Sequence, residues 1–514
     1  MPLTNPTYRR FGQKLPNCSL SNSVRADLSI DVIFGCYFWI RSCGKFSSSS
    51  GIFELLHRKT LPVTDTTSDI DRLLAPFHQF GVNLGLSRIQ TLLAALGSPH
   101  ISVPIVHVAG TNGKGSVCAY LSSVLSAAGY KVGRYTSPHL VNWNERICID
   151  GEPINTDRAV AVIRQTISAI DPNVPTPTQF EIVTAAAWLY FAQSQVDIAI
   201  IEVGLGGRLD ATNVIDRPLA TVIVSISLEH WQQLGDTISK ITTEKAGILK
   251  PNCPAIIGIL PPEAIEVVTT RIAELNCPTT WVKPAIRVPQ TVLRSTTALS
   301  ADRLSWAESE GIKYPLVLLG EIQLTNSAIA IATIQTLRQS GWKISDRHIV
   351  TGMANTQWLG RIQWTTWHGH KILIDGAHNP AAAIALRAYV DTLNLPISWT
   401  IGMLSTKAHR EIFQALLRPG DRLYLVPVPD HSSADPAALA NVARSICPDL
   451  SSIEVLPDLT TGLNAAVSNT NSGSPPSGSP TLTARQDSHQ LVLCGSLYLL
   501  GHFLKLTRSI GEGS

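Results

Sequence analysis

The chain has 514 residues, 44% of them hydrophobic and 15% charged, with a formal net charge of +3. That is enough apolar chain for two or more cored domains, and so even a charge balance excludes an electrostatic reason for nucleic acid or a membrane surface as the main partner. The nine cysteines show no CxxC or CxxH spacing, which argues against a disulfide framework or zinc site and for reduced thiols in a cytoplasmic compartment.

The run VIFGCYFWI (Val32 to Ile40) falls far short of the roughly 20 residues that span a bilayer. Residues 1–61 mix Arg9, Arg10, Asp27 and Arg41 with a serine run, and match neither a signal peptide nor an acid-free transit peptide. They read as an N-terminal extension, either disordered or the product of a start placed too early. From residue 62 strand-like and helix-like pieces alternate: IVHVA, SVCAYLSSVLSAAG and YKVGRYT, then VTAAAWLYFA, DIAIIEV and TVIVSI. Such alternation predicts parallel βαβ units. TNSAIAIATIQTLRQS (325–340) reads as a helix capped by its Asn or Ser, closing a first domain over 62–350. A second series follows in 351–514: KILIDGAHN, PAAAIALRAYVDTL, ISWTIGML, DRLYLVPV and LVLCGSLYLLG. Within it, 468–489 is rich in Ser, Pro and Gly and is expected to be a flexible insertion.

IVHVAGTNGKGSVCAYL (Ile105 to Leu121) is a strand breaking into glycines that open a helix. Backbone N–H groups and the positive helix end would surround an anion there, with Lys114 adding a point charge, so phosphate is the natural guest. Walker A spacing is not met, because Val108 stands where its first glycine belongs and Gly115 separates Lys114 from Ser116. GxGxxG is absent too. The plainer alternative is a glycine turn with a solvated lysine.

DIAIIEVGLGGRLDATN puts Glu202 at the C-terminal end of an apolar strand, where such sheets present ligands and where one carboxylate suits Mg²⁺. Pairing with Arg208 is the structural alternative. Glu229 and His230 leave the next strand, TVIVSISLEHWQQLG, and Lys245 by spacing alone reads as a helix-end charge beside Glu244. In KILIDGAHNPAAA, Asp375, His378 and Asn379 share a strand-to-helix turn with Pro380 at the first helical position; helix capping explains Asn379 and Pro380 but leaves Asp375 and His378 over. One such loop per domain predicts a nucleotide cleft between them.

On these residues the chain resembles the folylpolyglutamate synthase and dihydrofolate synthase family, within the Mur-ligase-like amide-forming enzymes. The motifs are AGTNGKGS, TSPHL with NERI, PTQFEIVTAAA, EVGLGGRLDATN, LGDT with EKAGI, DGAHNP and GSLYLLG, spread from Phe80 to Gly501. The resemblance implies an α/β fold: a P-loop Mur-ligase-like ATPase domain followed by a Rossmann-like C-terminal domain. It further implies that Thr111, Asn112, Gly113, Lys114, Gly115 and Ser116 hold ATP phosphates together with Asn326, Arg361 and Asp375. By the same resemblance Ser137, Glu202, His230 and a carbamylated Lys245 hold Mg²⁺. Lys114, Lys245, Asp375 and His378 are the implied catalytic set, and Thr178, Phe180, Glu181, Leu209, Asp210 and Ala211 the implied folate-binding set. The implied reaction is phosphorylation of an acceptor carboxylate by ATP, then attack by the amine of L-glutamate. Its acceptors would be dihydropteroate, tetrahydrofolate and its polyglutamates, handled by a cytoplasmic monomer with no nucleic-acid or membrane partner.

Three positions depart from the family pattern: Glu229 for Asp, Ile322 with Gln323 for HQ, and WLGR (Trp358 to Arg361) for WPGR. Action on both acceptors is the favoured expectation. Action on folates alone, as a folylpolyglutamate synthase, action on dihydropteroate alone, a Mur-type peptide ligase, a P-loop protein that turns over nucleotide without ligation and a nucleotide-binding scaffold without catalysis are the alternatives.

Overall fold

The computed structural model describes residues 67–289, 305–470 and 489–511. The expectation for 1–61 lies outside them, as does that for 471–488 of the insertion; residues 468–470 end the helix Leu459–Thr470.

An eight-stranded sheet forms the first half: β1 (Ile105–Ala109), β2 (Val132–Tyr135), β3 (Ile147–Ile149), β4 (Glu152–Pro153), β5 (Ile198–Glu202), β6 (Ala220–Ile223), β7 (Ala255–Ile257) and β8 (Thr279–Trp281), in the order β4-β3-β2-β5-β1-β6-β7-β8. All pairings are parallel except those made by β3 and β4 at one edge. Every residue of β1 and β5 is buried, which is why these strands read as unbroken apolar runs rather than alternating ones. Val106 and Val108 pack with the helices Lys114–Ala127, Ile322–Gln339 and Asp346–Asn355. Ile105 faces the other layer, with helices Ser87–Ala95, Thr156–Ser168 and Gln179–Gln193.

A small antiparallel sheet of β9 (Ile286–Val288), β10 (Ser305–Ser309) and β11 (Ile312–Leu316) has no counterpart in the sequence reading. Its β10–β11 hairpin turns at Glu310 and Gly311, both with positive φ, as a tight hairpin connection requires. The helix expected at 325–340 begins at Ile322, with no side-chain cap, so Asn326 and Ser327 are buried inside it rather than capping it. A boundary at 350/351 falls within the helix Asp346–Asn355, which packs on the helix Lys114–Ala127; the passage to the second half therefore follows Asn355.

The second half is a six-stranded sheet of β12 (Gln363–Trp367), β13 (His370–Ile374), β14 (Ile397–Ile401), β15 (Arg422–Leu425), β16 (Ser452–Val455) and β17 (Gln490–Cys494), ordered β12-β13-β17-β14-β15-β16. Only β12 runs antiparallel to its neighbour. Helices Pro380–Asp391, His409–Leu416 and Pro436–Ile446 cover one face, and Leu459–Thr470 and Leu497–Gly511 the other. That last helix meets the first half at close quarters: a Cβ placed on Gly501 would overlap the Leu140 carbonyl oxygen. Six cysteines among the described residues, Cys118, Cys148, Cys253, Cys277, Cys447 and Cys494, are buried free thiols. No helix of the described residues is long and apolar enough to cross a membrane.

Candidate active site

Because β5 and β6 flank β1, the C-terminal ends of these three strands bring Glu202, the glycine loop and the segment leading to His230 to one place. Gly113 precedes the helix with φ +83, and a Cβ there would lie 2.5 Å from Asn326 Oδ1. With glycine in that position no side chain caps the helix, and its first N–H groups stay available. Ser225 secures the loop: its Oγ accepts from the Asn112 N–H at 3.1 Å, and its carbonyl accepts from the Thr111 N–H at 2.7 Å. Lys114 Nζ donates to the carbonyls of Gly110 (3.2 Å) and Thr111 (3.1 Å) and stands 3.9 Å from Glu202 Oε1. Glu202 is buried and accepts from the Ser137 N–H at 3.1 Å; burial pushes its carboxyl up, while Lys114 pulls it down.

Lys245 does not pair with Glu244, whose carboxylate takes Arg208 at 2.7 Å. Arg208 is therefore not the partner of Glu202 either. The buried Lys245 amine donates to the Gly110 carbonyl at 2.9 Å, and burial, with Lys114 nearby, pushes it down to about 7. His230 is pushed down to about 4, by burial first, and so keeps a free ring lone pair at neutral pH.

Across the cleft, Asp375 accepts from the N–H groups of Ile362 and Ala377, each at 2.8 Å. Burial raises its carboxyl against the pull of Arg361. Both ring nitrogens of His378 face acceptors, the Gly376 carbonyl at 2.7 Å and Glu229 Oε1 at 3.0 Å. Lys407 Nζ stands 3.6 Å from the same Glu229 oxygen. Asn379 caps its helix through Ala382 N–H (2.9 Å), and its amide also forms a reciprocal pair with that of Asn112, at 2.9 and 3.2 Å.

The third wall comes from the loop before the helix Gln179–Gln193 and the GLGGRLDATN turn. Thr178 and Glu181 form a capping box, and Glu181 also holds Arg88 at 3.0 Å. Asp210 accepts from the Leu205 N–H (2.8 Å) and from the Thr212 hydroxyl (2.6 Å). These three polar groups shape the wall, whereas Phe180, Leu209 and Ala211 give it apolar surface. One cavity of about 720 Å³ is lined by every site residue expected from the sequence except Lys245, which sits behind the glycine loop.

The chain is similar to known proteins in sequence and in fold. Residues 360–506 match the family model for the dihydrofolate synthetase C-terminal domain. The dihydrofolate synthetase of Saccharomyces cerevisiae is 34% identical over 455 residues, covering 83% of this chain and 99% of that protein. The chain belongs to the folylpolyglutamate synthase and dihydrofolate synthase family. A dihydrofolate synthase/folylpolyglutamate synthase of Bacillus subtilis is 39% identical over 310 residues, or 59% of this chain and 70% of that protein. Folylpolyglutamate synthase of Mycobacterium tuberculosis, solved with ADP and AMPPCP, superposes with a TM-score of 0.73 at 27% identity, covering 86% of this chain and 99% of that one.

Within this family setting, the longer Glu229 side chain reaches His378 and Lys407. Ile322 lines the cavity, and it is Gln323 that meets the start of the helix after the glycine loop, 3.4 Å from Ser116 Oγ. Trp358 packs where a Cβ on Gly115 would fall. Sequence reasoning passed over Ser225, Gln323, Trp358 and Lys407 as site residues. Ser225 and Lys407 carried a usable signal, since each follows a parallel strand at the sheet edge that presents ligands, and Gln323 and Trp358 belong to segments that depart from the family pattern.

Proposed function

We propose that this chain uses ATP to convert the carboxylate of a pterin-bearing acceptor into an acyl phosphate, which the amine of L-glutamate attacks to form an amide. One observation carries this reading: the Lys114–Glu202 pair, the apolar wall of Phe180, Leu209 and Ala211, and the Asp375–His378 corner all open into one cavity. The glycine loop and Lys114 bind the ATP phosphates. Arg361 adds a second positive charge toward Asp375 and Glu202. Positioning and charge neutralisation are most of what phosphoryl transfer asks of a protein. Contact between the halves at Asn112–Asn379 and Glu229–His378 keeps water from the acyl phosphate.

The residues fit magnesium. Glu202 offers a buried carboxylate on the cavity wall, Ser137 and a neutral His230 line the same space, and few protein ligands are what Mg²⁺ takes beside phosphate oxygens. When bound, the ion neutralises charge on the transferring phosphate. Lys245 fits carbamylation, because its buried amine is held near neutrality and the uncharged form reacts with carbon dioxide.

Action on both dihydropteroate and tetrahydrofolate is the first reading, as in the name of the Bacillus subtilis relative. Action on dihydropteroate alone is the second; the C-terminal family model and the near full-length yeast relative favour it. Purified protein with ATP and Mg²⁺, given either acceptor with and without L-glutamate, separates them by ADP release and product mass. Dihydrofolate from dihydropteroate is the expected outcome of both readings, and a one-glutamate gain on tetrahydrofolate selects the first. ADP release indifferent to acceptor and glutamate, with no new amide, would sink the ligase reading.

A further inference from the structure

Apart from Ser137, the residues of two sequence motifs, TSPHL and NERI, have no part in the reaction as derived so far, yet their side chains are tied to each other. The Glu145 carboxylate accepts from the N–H groups of Leu140, Val141 and Asn142 at 2.8, 3.0 and 3.0 Å, pinning the TSPHL loop. In return, His139 Nδ1 lies 2.9 Å from Arg146 Nε. Arginine can only donate, so His139 accepts there and carries its own proton on Nε2. The Arg146 guanidinium lies 4.3 Å over the Trp143 ring, which itself packs 4.7 Å from the His139 ring. One face and one nitrogen of a cavity-lining guanidinium are thus fixed.

What it lacks, among the described residues, is an ion-pair partner of its own. Glu202, the carboxylate that acts on Arg146, is already paired with Lys114, and the other groups it feels are the neutral phenols of Tyr135, which also accepts a hydrogen bond from Arg146, and Tyr498. A half-buried cation without an ion pair is costly, and its cost is relieved when an anionic guest arrives. Position identifies the guest. Tyr135 packs against Phe180 of the apolar wall, with ring centroids 6.3 Å apart, so Arg146 stands where that wall meets the Glu202 end of the cavity. A molecule with its rings on Phe180 and Leu209 delivers a carboxylate there.

We propose that Arg146 holds the carboxylate of the acceptor, the group to be phosphorylated, and that His139 is a positioning residue which orients the guanidinium. The assignment rests on the ligase reading and names the recognition element within it. L-Glutamate and ATP are the other anions that could claim Arg146, and the test separates them.

Binding of dihydropteroate and of the same molecule without its carboxyl group is compared, in full-length wild type and in Arg146→Met, with AMPPCP and Mg²⁺ present. A charge-assisted arginine–carboxylate contact predicts that wild type prefers the carboxylate by about 10- to 100-fold and that the variant narrows this to about threefold. The decarboxylated compound should bind both proteins alike, which shows the variant's site is intact. His139→Gln, which keeps an acceptor for Arg146 Nε, should hold the acceptor KM within about threefold of wild type, and His139→Leu should raise it about tenfold. KM for ATP and for L-glutamate should stay within about threefold throughout. The assignment is overturned if Arg146→Met discriminates as wild type does, loses the decarboxylated compound equally, or shows its defect in the glutamate KM. If wild type itself does not discriminate, the assignment falls, while acceptor-dependent ADP release with a new amide from the same wild-type protein decides separately whether the ligase reading stands.

Discussion

Two strand-to-helix turns face each other across the cavity, and they are built on opposite plans. At the end of β1 a glycine with positive φ precedes the helix, no side chain caps it, and the polar groups on offer are backbone N–H donors around one lysine. At the end of β13, Asn379 fills its own helix end, and the turn offers the side chains of Asp375 and His378 instead. A strand-turn-helix corner at the edge of a parallel sheet is therefore not an anion site by topology alone. Whether its first N–H groups are already bonded decides which kind of chemistry it can serve.

The largest effect that breaks this contrast falls on the first turn. Lys114→Met removes the point charge but leaves the glycine backbone, and should lower acceptor-dependent ADP release about a hundred- to thousandfold, the scale of losing one preorganised charge stabiliser. A loss under about tenfold in steady-state assays would mean the backbone donors suffice without it.

An intermediate effect separates the strands that feed the turns. β1 carries the buried His107, pushed down to about 3 by burial first and then by Lys250, whereas the matching interior of β13 is Ile372 and Leu373. Its folded pKa lies below the ordinary value near 6.5, so its contribution is intact above that pH and is lost as pH falls from about 6.5 toward 3, at up to about 1.4 kcal/mol per pH unit. Urea midpoints taken from pH 7 down to pH 5 should fall, and fall less steeply in His107→Gln. Equal slopes would place the acid sensitivity elsewhere.

The smallest effect tests the tie between the turns. Asn379→Ser keeps a cap but is too short to reach Asn112, so a double-mutant cycle with Asn112→Ala should show a coupling of about 0.5–1.5 kcal/mol in unfolding free energy. Additive changes would reduce the reciprocal amide pair to a surface contact between the halves.

What the sequence made legible was local. IVHVA coincides with β1 because a strand covered on both faces must be apolar throughout. The glycine loop could be recognised because its donors are backbone groups of consecutive residues. Asp375 and His378 stood out because capping left them unexplained. What the sequence hid depends on partners far along the chain. Lys245 beside Glu244 looked like a local pair, yet Arg208 takes the glutamate and Gly110 takes the lysine. Gln323 reaches Ser116 from a helix whose start looked as if it lay at Asn326. The three-stranded sheet escaped because β9 is only three residues long and half of its register is set by a hairpin that begins seventeen positions later.

The absence of a side chain at Gly501 has a practical side. Because that position meets the Leu140 backbone directly, the last helix and the TSPHL loop are machined to one tolerance. Exchanging halves between relatives at a joint after Asn355 is thus not a free choice of modules. A hybrid inherits a sound seam only when the incoming helix brings glycine to this place and the resident loop keeps its path, so residues 140 and 501 should travel together in any shuffled library.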